Sequence, residues 1–181
     1  GGKVVAKAGG TVVLTPGGEI YTALDRGTID STEWVGPHDD MKLGLHNAAK
    51  YYYYPGWHEP GTTGEYSFNK KAYDSLPADL KGIIDYACQS MQVHTFMEYE
   101  WKNTIALQKL KTEFKGKVEL VAFSNAILKD LKKISDDVIK EESEKSPQAR
   151  KVYASVKKFE AALNDWRLLS EAAYHAQIAA V

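Results

Sequence analysis

The sequence holds a single cysteine, Cys88. It therefore forms no disulfide within the chain and no cysteine-based metal site. The neighbours of Cys88 in YACQSM read as one face of a helix, where a small packed side chain suffices as its role. No apolar run reaches the roughly 18 residues that a membrane-crossing helix needs. Neither sign of charge is in surplus: 23 Lys and Arg stand against 24 Asp and Glu, a net charge of −1. That argues against a nucleic-acid binder, which would carry a basic stripe. GxSxG, HExxH, CxxC and a phosphate-binding glycine loop are all missing, and no serine or cysteine sits in a nucleophile motif. There is no starting Met and no signal-peptide pattern. The chain opens GGKVVAKAGG and reads as the middle of a protein, so the lack of a targeting segment carries no information.

What is there is 181 residues, 44% of them hydrophobic, enough for one compact domain or for part of a larger one. TVVLTP reads as a short buried strand ended by Pro16. GGEIYTALDRG reads as a helix with Ile20 and Leu24 on one face and Gly27 as its terminator. TIDSTEWV is a second strand-like segment. PHDDMKLGLHNAAK is a second helix, with Pro37 and two acids at its positive end. YYYYP is a third strand. This alternation predicts an α/β fold with a parallel sheet. Sites in such sheets lie beyond the carboxyl ends of strands. Glu33 and Trp34 stand at one such end, and Trp57, His58 and Glu59 follow another, so the two loops are expected to converge on one pocket.

The second half is more helical. EYSFNKKAYDSLP reads as a strand and a short helix. A long helix then starts at SLPADL, with Ser75 as a plausible cap and Pro77 in its first turn. Its apolar period runs through Leu80, Ile84, Ala87, Met91, Trp101 and Ile105, and Gly116 ends it. From Pro77 to Lys115 such a helix spans about 57 Å, more than one small lobe, so it is expected to kink or to serve two lobes. VELVAF is a strand. An amphipathic helix begins at Ser124, and another begins with Ser146 as cap and Pro147 in the first turn, running to about Ala179. Val152, Val156, Phe159, Leu163 and Trp166 form its apolar stripe, which reads as packing surface.

The residues alone leave the site open. Glu33 beside Trp34 is either a solvated strand-end carboxylate next to a rim aromatic or a ligand site. In the latter, hard carboxylate and carbonyl oxygens meet a cation and an indole excludes water. The stretch YYYYPGWHEPG, Tyr51 to Gly61, crowds aromatics into a loop with two prolines and two glycines, a setting that commonly carries binding residues. Glu33 and Glu59 also permit an acid pair of the glycoside-hydrolysis kind, with His58 as an alternative general base. His38, His46, His94 and His175 have no metal-ligand spacing and read as helix-surface or packed residues.

The run GGEIYTALDRGTIDSTEW resembles the extracytoplasmic solute receptors of TRAP (tripartite ATP-independent periplasmic) transporters, the DctP family. The residues that carry the resemblance are Glu19, Tyr21, Ala23, Leu24, Gly27, Ile29, Asp30 and Glu33. SFNKKAYDSLPADLKGIIDYA, Ser67 to Ala87, is similar to that family's strand and the start of its long helix. The resemblance runs from about residue 11 to the end, and it is more specific through Leu80 than beyond. IDSTEWVGP together with YYYYPGWHEPG looks closest to the members that bind α-keto acids such as pyruvate. Most of the family has Asn after the glutamate, where this chain has Trp34. That favours a small, cation-assisted site over a sialic-acid-like one.

The resemblance implies a periplasmic binding protein, not an enzyme, with two lobes and about twice this length. It implies Na⁺ or Ca²⁺ held by the Glu33 carboxylate and the Trp34 carbonyl, with Glu59 as a further ligand. The cation reverses the repulsion between Glu33 and an anionic 2-oxo acid. Trp34 and Trp57 close over the apolar part of the ligand, and His58 lines the site. The substrate-clamping arginine of the family would lie before Gly1. The chain is thus expected to be the C-terminal half of a receptor, missing its N-terminal half and binding poorly by itself.

Four segments are expected on this basis. Residues 1–61 belong to the second lobe, 62–92 form the hinge strand and return into the first, and 93–145 re-enter the second. Residues 146–181 form a long terminal helix that can dock on a twin to make a homodimer. The TRAP membrane subunits are further partners. The rival readings are a carboxylate-pair hydrolase and a saccharide-binding domain.

Overall fold

The computed structural model describes residues 1–59, 61 and 64–179. Pro60, the second proline of the aromatic loop, lies outside the described residues. So do Thr62 and Thr63, the start of the expected 62–92 segment, and the last two residues of 146–181. The chain divides into two compact units, one of Gly1–Gly10 with Lys129–Val181 and the other Thr11–Leu128.

The order of elements begins with α1 (Gly2–Lys7), α2 (Gly17–Asp25), α3 (Pro37–Lys42), α4 (Leu45–Ala48) and β1 (Tyr51–Tyr54). It continues with α5 (Lys70–Asp74), α6 (Ala78–Thr112), β2 (Glu119–Ala122), α7 (Asn125–Ser143), α8 (Pro147–Leu169) and α9 (Glu171–Ile178). Within Thr11–Leu128, β1 and β2 pair in parallel, with Tyr51 opposite Glu119 and Tyr54 opposite Ala122. A parallel pair needs a crossover, which α5 and α6 supply. Lys50 forms an ion pair with Glu119 at 3.1 Å where the ladder opens. At its close the Phe123 amide donates to the Tyr54 carbonyl at 2.8 Å, and the Phe123 ring stacks on Tyr53 at 5.0 Å. Ile20, Leu45, Ala106, Leu110 and Val118 are the buried apolar side chains of this unit, with Leu110 only 2% exposed. α3 packs on α6 and on α4, and α4 on α2. The outcome is an α/β arrangement dominated by helices around a small parallel sheet.

Three expected strands do not form. Residues 11–16, 28–35 and 65–69 have no ladder partner among the described residues. Strand composition describes a fit to a pleated, half-buried surface, and that surface is missing at 11–16, where Leu14 is 98% exposed. At 28–35 the chain leaves Gly27, which has φ +69°, through the turn-forming run Asp30-Ser31-Thr32. The helix expected over PHDDMKLGLHNAAK is broken into α3 and α4 at Gly44, which sits at φ +78°, a left-handed position that glycine adopts at no steric cost. Ser75 does not cap the long helix. Its hydroxyl donates to the Ala72 carbonyl at 2.8 Å at the end of α5, and Pro77 stands at the N-cap of α6. α6 has 35 residues, a rod of about 52 Å.

In the other unit, α1 was not expected from sequence. Its Val4 is buried, and Lys3 and Lys7 form ion pairs with Glu142 and Glu141 of α7. The Ser146 hydroxyl accepts from the Ala149 amide at 3.0 Å, and Pro147 opens α8, as the sequence suggests. The single helix expected from Pro147 to about Ala179 is interrupted at Ser170. There the backbone leaves helical geometry (φ −112°, ψ −112°), and the Ser170 hydroxyl donates to the Trp166 carbonyl at 2.9 Å.

Candidate functional site

The two loops singled out in the sequence meet in Thr11–Leu128. Glu33 lies between α2 and α3, and His58 follows β1. Their side chains approach to 3.4 Å between Glu33 Oε2 and His58 Nε2. Glu33 keeps 59% of its side chain in solvent while His58 keeps 19%. An Nε2–H directed at Glu33 leaves His58 Nδ1 as a bare acceptor. That nitrogen is buried, with no partner among the described residues. The Trp57 ring lies 4.7 Å from the His58 ring, tilted by 51°. Trp34 is partly exposed, with its six-membered ring over Gly17 at the start of α2. Glu59 is exposed and has no ion pair among the described residues. Glu33, Trp57 and His58 are thus in one place, and no described contact joins Glu59 to them.

Among the described residues no group of three or more His, Cys, Asp and Glu side chains gathers as a metal site. A cation here would need backbone oxygen as well as the Glu33 carboxylate, a donor set that suits hard cations such as Ca²⁺. The Trp34 carbonyl is available for this, since no backbone amide among the described residues donates to it.

The supports of this loop are residues that sequence reasoning missed. Asp40, in the first turn of α3, is 9% exposed. Its Oδ1 accepts from the Val35 and Gly36 amides, both at 3.2 Å, and its Oδ2 accepts from the Tyr52 hydroxyl at 2.6 Å. Burial pushes the Asp40 carboxyl above the usual carboxylate range. The Tyr52 hydroxyl and the two amides pull in the opposite direction. Burial, with Asp40 beside it, pushes the Tyr52 phenol far up as well. From α6, Asn103 Oδ1 accepts from the His38 amide at 3.0 Å, and a Cβ at Gly36 would stand 3.3 Å from the Asn103 amide group. β1, α3 and α6 therefore all hold the segment that follows Glu33 and Trp34. The two acids at the positive end of α3 were the one available signal, and they reveal nothing of Tyr52 or Asn103.

The sequence profile of DctP, bacterial extracellular solute-binding protein family 7, matches residues 1–146. A monocarboxylate 2-oxoacid-binding periplasmic protein of Nostoc sp. is 40% identical over 174 residues, which is 96% of this chain and 47% of that protein. A TRAP periplasmic solute-binding protein of Colwellia psychrerythraea, solved with bound calcium and pyruvate, superimposes with a TM-score of 0.90 at 35% identity. That match covers 97% of this chain and 53% of the other. A counterpart from Pseudoalteromonas atlantica, solved with sodium and pyruvate, gives a TM-score of 0.86 at 32% identity, covering 97% and 53%. The chain spans about half the length of these relatives.

Proposed function

The chain belongs to the DctP family of bacterial extracellular solute-binding proteins, and from that premise we propose that it is the ligand-holding C-terminal half of a periplasmic TRAP receptor for a pyruvate-like 2-oxo monocarboxylate. The family is one of binding proteins, not enzymes, so the carboxylate-pair hydrolase falls away, and no feature of the chain favours a saccharide site. The observation that carries the reading is the pairing of Glu33 with His58 at 3.4 Å, beside a Trp34 carbonyl that no amide occupies. A bare carboxylate repels an anionic ligand. Glu33 and the Trp34 carbonyl hold Na⁺ or Ca²⁺, with Glu59 closing in as a further ligand, and the positive charge there makes the site attractive to a 2-oxo acid. Relatives solved with calcium and with sodium, each with pyruvate, support a cation of either kind. His58 and the two indoles of Trp34 and Trp57 line the rest.

The N-terminal half supplies the other wall and the clamping charge, so this half alone binds poorly. Residues 1–61 and 93–145 serve the second lobe, 62–92 the hinge and first lobe, and α6 runs along both. Closure is a hinge motion around the ligand, and the closed form is presented to the TRAP membrane subunits. The segment 146–181 joins two receptors in a homodimer. Calorimetry of the full-length receptor with pyruvate tests the central reading. Binding without turnover is expected with Ca²⁺ or Na⁺ present, and loss of binding is expected on cation removal or in Glu33→Gln. Undiminished affinity in cation-free buffer would overturn it.

A further inference from the structure

We infer that Asp40 is a positioning residue that acts on the Trp34 carbonyl through the peptide bond between Trp34 and Val35. This deepens the reading of Glu33 and Trp34 as cation ligands and rests on it. A peptide unit is planar, and in the trans form its N–H and C=O point in opposite directions. The Trp34–Val35 bond is trans, since among the described residues the cis bond is Tyr54–Pro55. The Val35 amide donates to Asp40 Oδ1 at 3.2 Å. The carbonyl of the same peptide unit, that of Trp34, is therefore turned away from Asp40. The Gly36 amide on the same Oδ1 fixes the next peptide unit and removes the remaining freedom to flip.

The same bond has an electronic consequence. An N–H bonded to a carboxylate releases electron density to its own carbonyl oxygen, because linked hydrogen-bonding groups polarise one another in a low-dielectric setting. A polarised carbonyl is a better ligand for a hard cation. Asp40 can do this because it is buried and held. Tyr52, on β1, donates to its other oxygen at 2.6 Å, while the Val35 and Gly36 amides by themselves hold Oδ1. The negative charge of Asp40 thus reaches the site through one peptide unit without occupying a coordination position, as the groups behind a metal ligand commonly do.

The test titrates Ca²⁺ into the full-length receptor in the presence of pyruvate, comparing wild type, Asp40→Asn and Tyr52→Phe. In Asp40→Asn an amide oxygen still accepts from Val35 and Gly36 but carries no charge. The Ca²⁺ midpoint is expected to weaken roughly tenfold, while pyruvate affinity at saturating Ca²⁺ stays at the wild-type value. Tyr52→Phe leaves the charge and both amide bonds in place, so it is expected to lower the thermal midpoint and leave the Ca²⁺ midpoint within about twofold. The Val35 amide proton gives a second readout. It is expected downfield in the cation-free wild type, further downfield on adding Ca²⁺ as the Trp34 carbonyl is engaged, and upfield in Asp40→Asn. An Asp40→Asn receptor with the wild-type Ca²⁺ midpoint overturns the inference, as does an equal loss of Ca²⁺ affinity in both variants. If Asp40→Asn does not fold, a wild-type Val35 resonance that ignores Ca²⁺ overturns it. A wild type that binds pyruvate with no cation fails the reading of the site itself and takes this inference with it.

Discussion

The indole of Trp34 rests on Gly17: a Cβ built at Gly17 would stand 2.9 Å from ring carbon Cη2. No side chain other than hydrogen fits under the ring as it lies. Because Gly17 is the first residue of α2, the amino end of that helix sets how far Trp34 can lean over the site. Gly17→Ala is expected to move the indole, since overpacking of this kind costs about 1–3 kcal/mol. Pyruvate affinity should fall about tenfold in the full-length receptor, for each 1.4 kcal/mol lost from the contact. Tryptophan emission of the ligand-free protein should shift with it. Identical emission and affinity in Gly17→Ala would show that the contact does not govern Trp34.

Leu110, near the end of α6, is the most enclosed apolar side chain in Thr11–Leu128. Leu110→Ala removes three carbons from a site with little room to collapse. The expected loss is about 2–5 kcal/mol of stability, read as a lower denaturant midpoint at unchanged slope. A loss under about 1 kcal/mol would mean that Leu110 is less confined than its burial indicates.

His46, on α4, meets the Phe114 ring edge-on at 4.5 Å, and its Nδ1 is buried without a partner among the described residues. Burial, and then the nearby Lys117 charge, hold its pKa below the usual 6.5. In the window between the depressed value and 6.5 the unfolded chain binds more protons than the folded one, so stability rises with pH. The contribution of neutral His46 is complete above 6.5 and is lost as pH falls through the depressed value. Denaturant midpoints at pH 7.5 and pH 5.0 in wild type and His46→Leu check this. The wild type should lose more between the two than the variant. An equal loss in both would remove His46 from the pH response.

What could be read in advance follows the range of the interactions concerned. Helix ends at Gly27, Ser124, Ser146 and Pro147 were legible because caps and left-handed glycines act within a turn or two of chain. The long helix, by contrast, ends at Thr112 with Glu113 as its C-cap, short of the Gly116 expected to end it. β1 and β2 were legible as strands, and their pairing across an intervening 35-residue helix follows the rule that parallel strands need a crossover. The strands expected at 11–16, 28–35 and 65–69 were not formed, because strand formation depends on a neighbour that composition cannot name. Ser75, expected to cap the long helix, instead closes α5, its hydroxyl donating to the Ala72 carbonyl. At the site, Glu33 and His58 could be nominated from their places after two apolar runs. Asn103, 65 residues from the His38 amide it accepts from, could not, since nothing local to NTIAL signals a docking partner. Asp40 was visible as a helix-end acid, but its bonds to Val35, Gly36 and Tyr52 were not, and Tyr52 looked like one tyrosine among four.

The exposed stripe of α8 carries the last prediction. Val152, Val156, Phe159, Leu163 and Trp166 recur at helical spacing and all remain largely in solvent, although α9 packs against α8. A run of large apolar side chains left open along one helix is a surface that calls for cover. α8 follows α7 through a short link, Glu144 to Ser146, whose charges are tied locally: Lys145 to Glu142 at 2.7 Å and Arg150 to Glu144 at 3.4 Å. A helix on a short charged link can dock on a twin at little cost, since both partners exchange identical contacts. Light scattering should therefore give a dimer for the full-length receptor at micromolar concentration. A form ending at Lys145 should be a monomer, and so should Trp166→Glu, which places a charge in the centre of the stripe. If the full-length receptor and the form ending at Lys145 are both monomeric, the exchange fails and the stripe is covered within its own receptor. If all three are dimeric, the dimer is built from another surface.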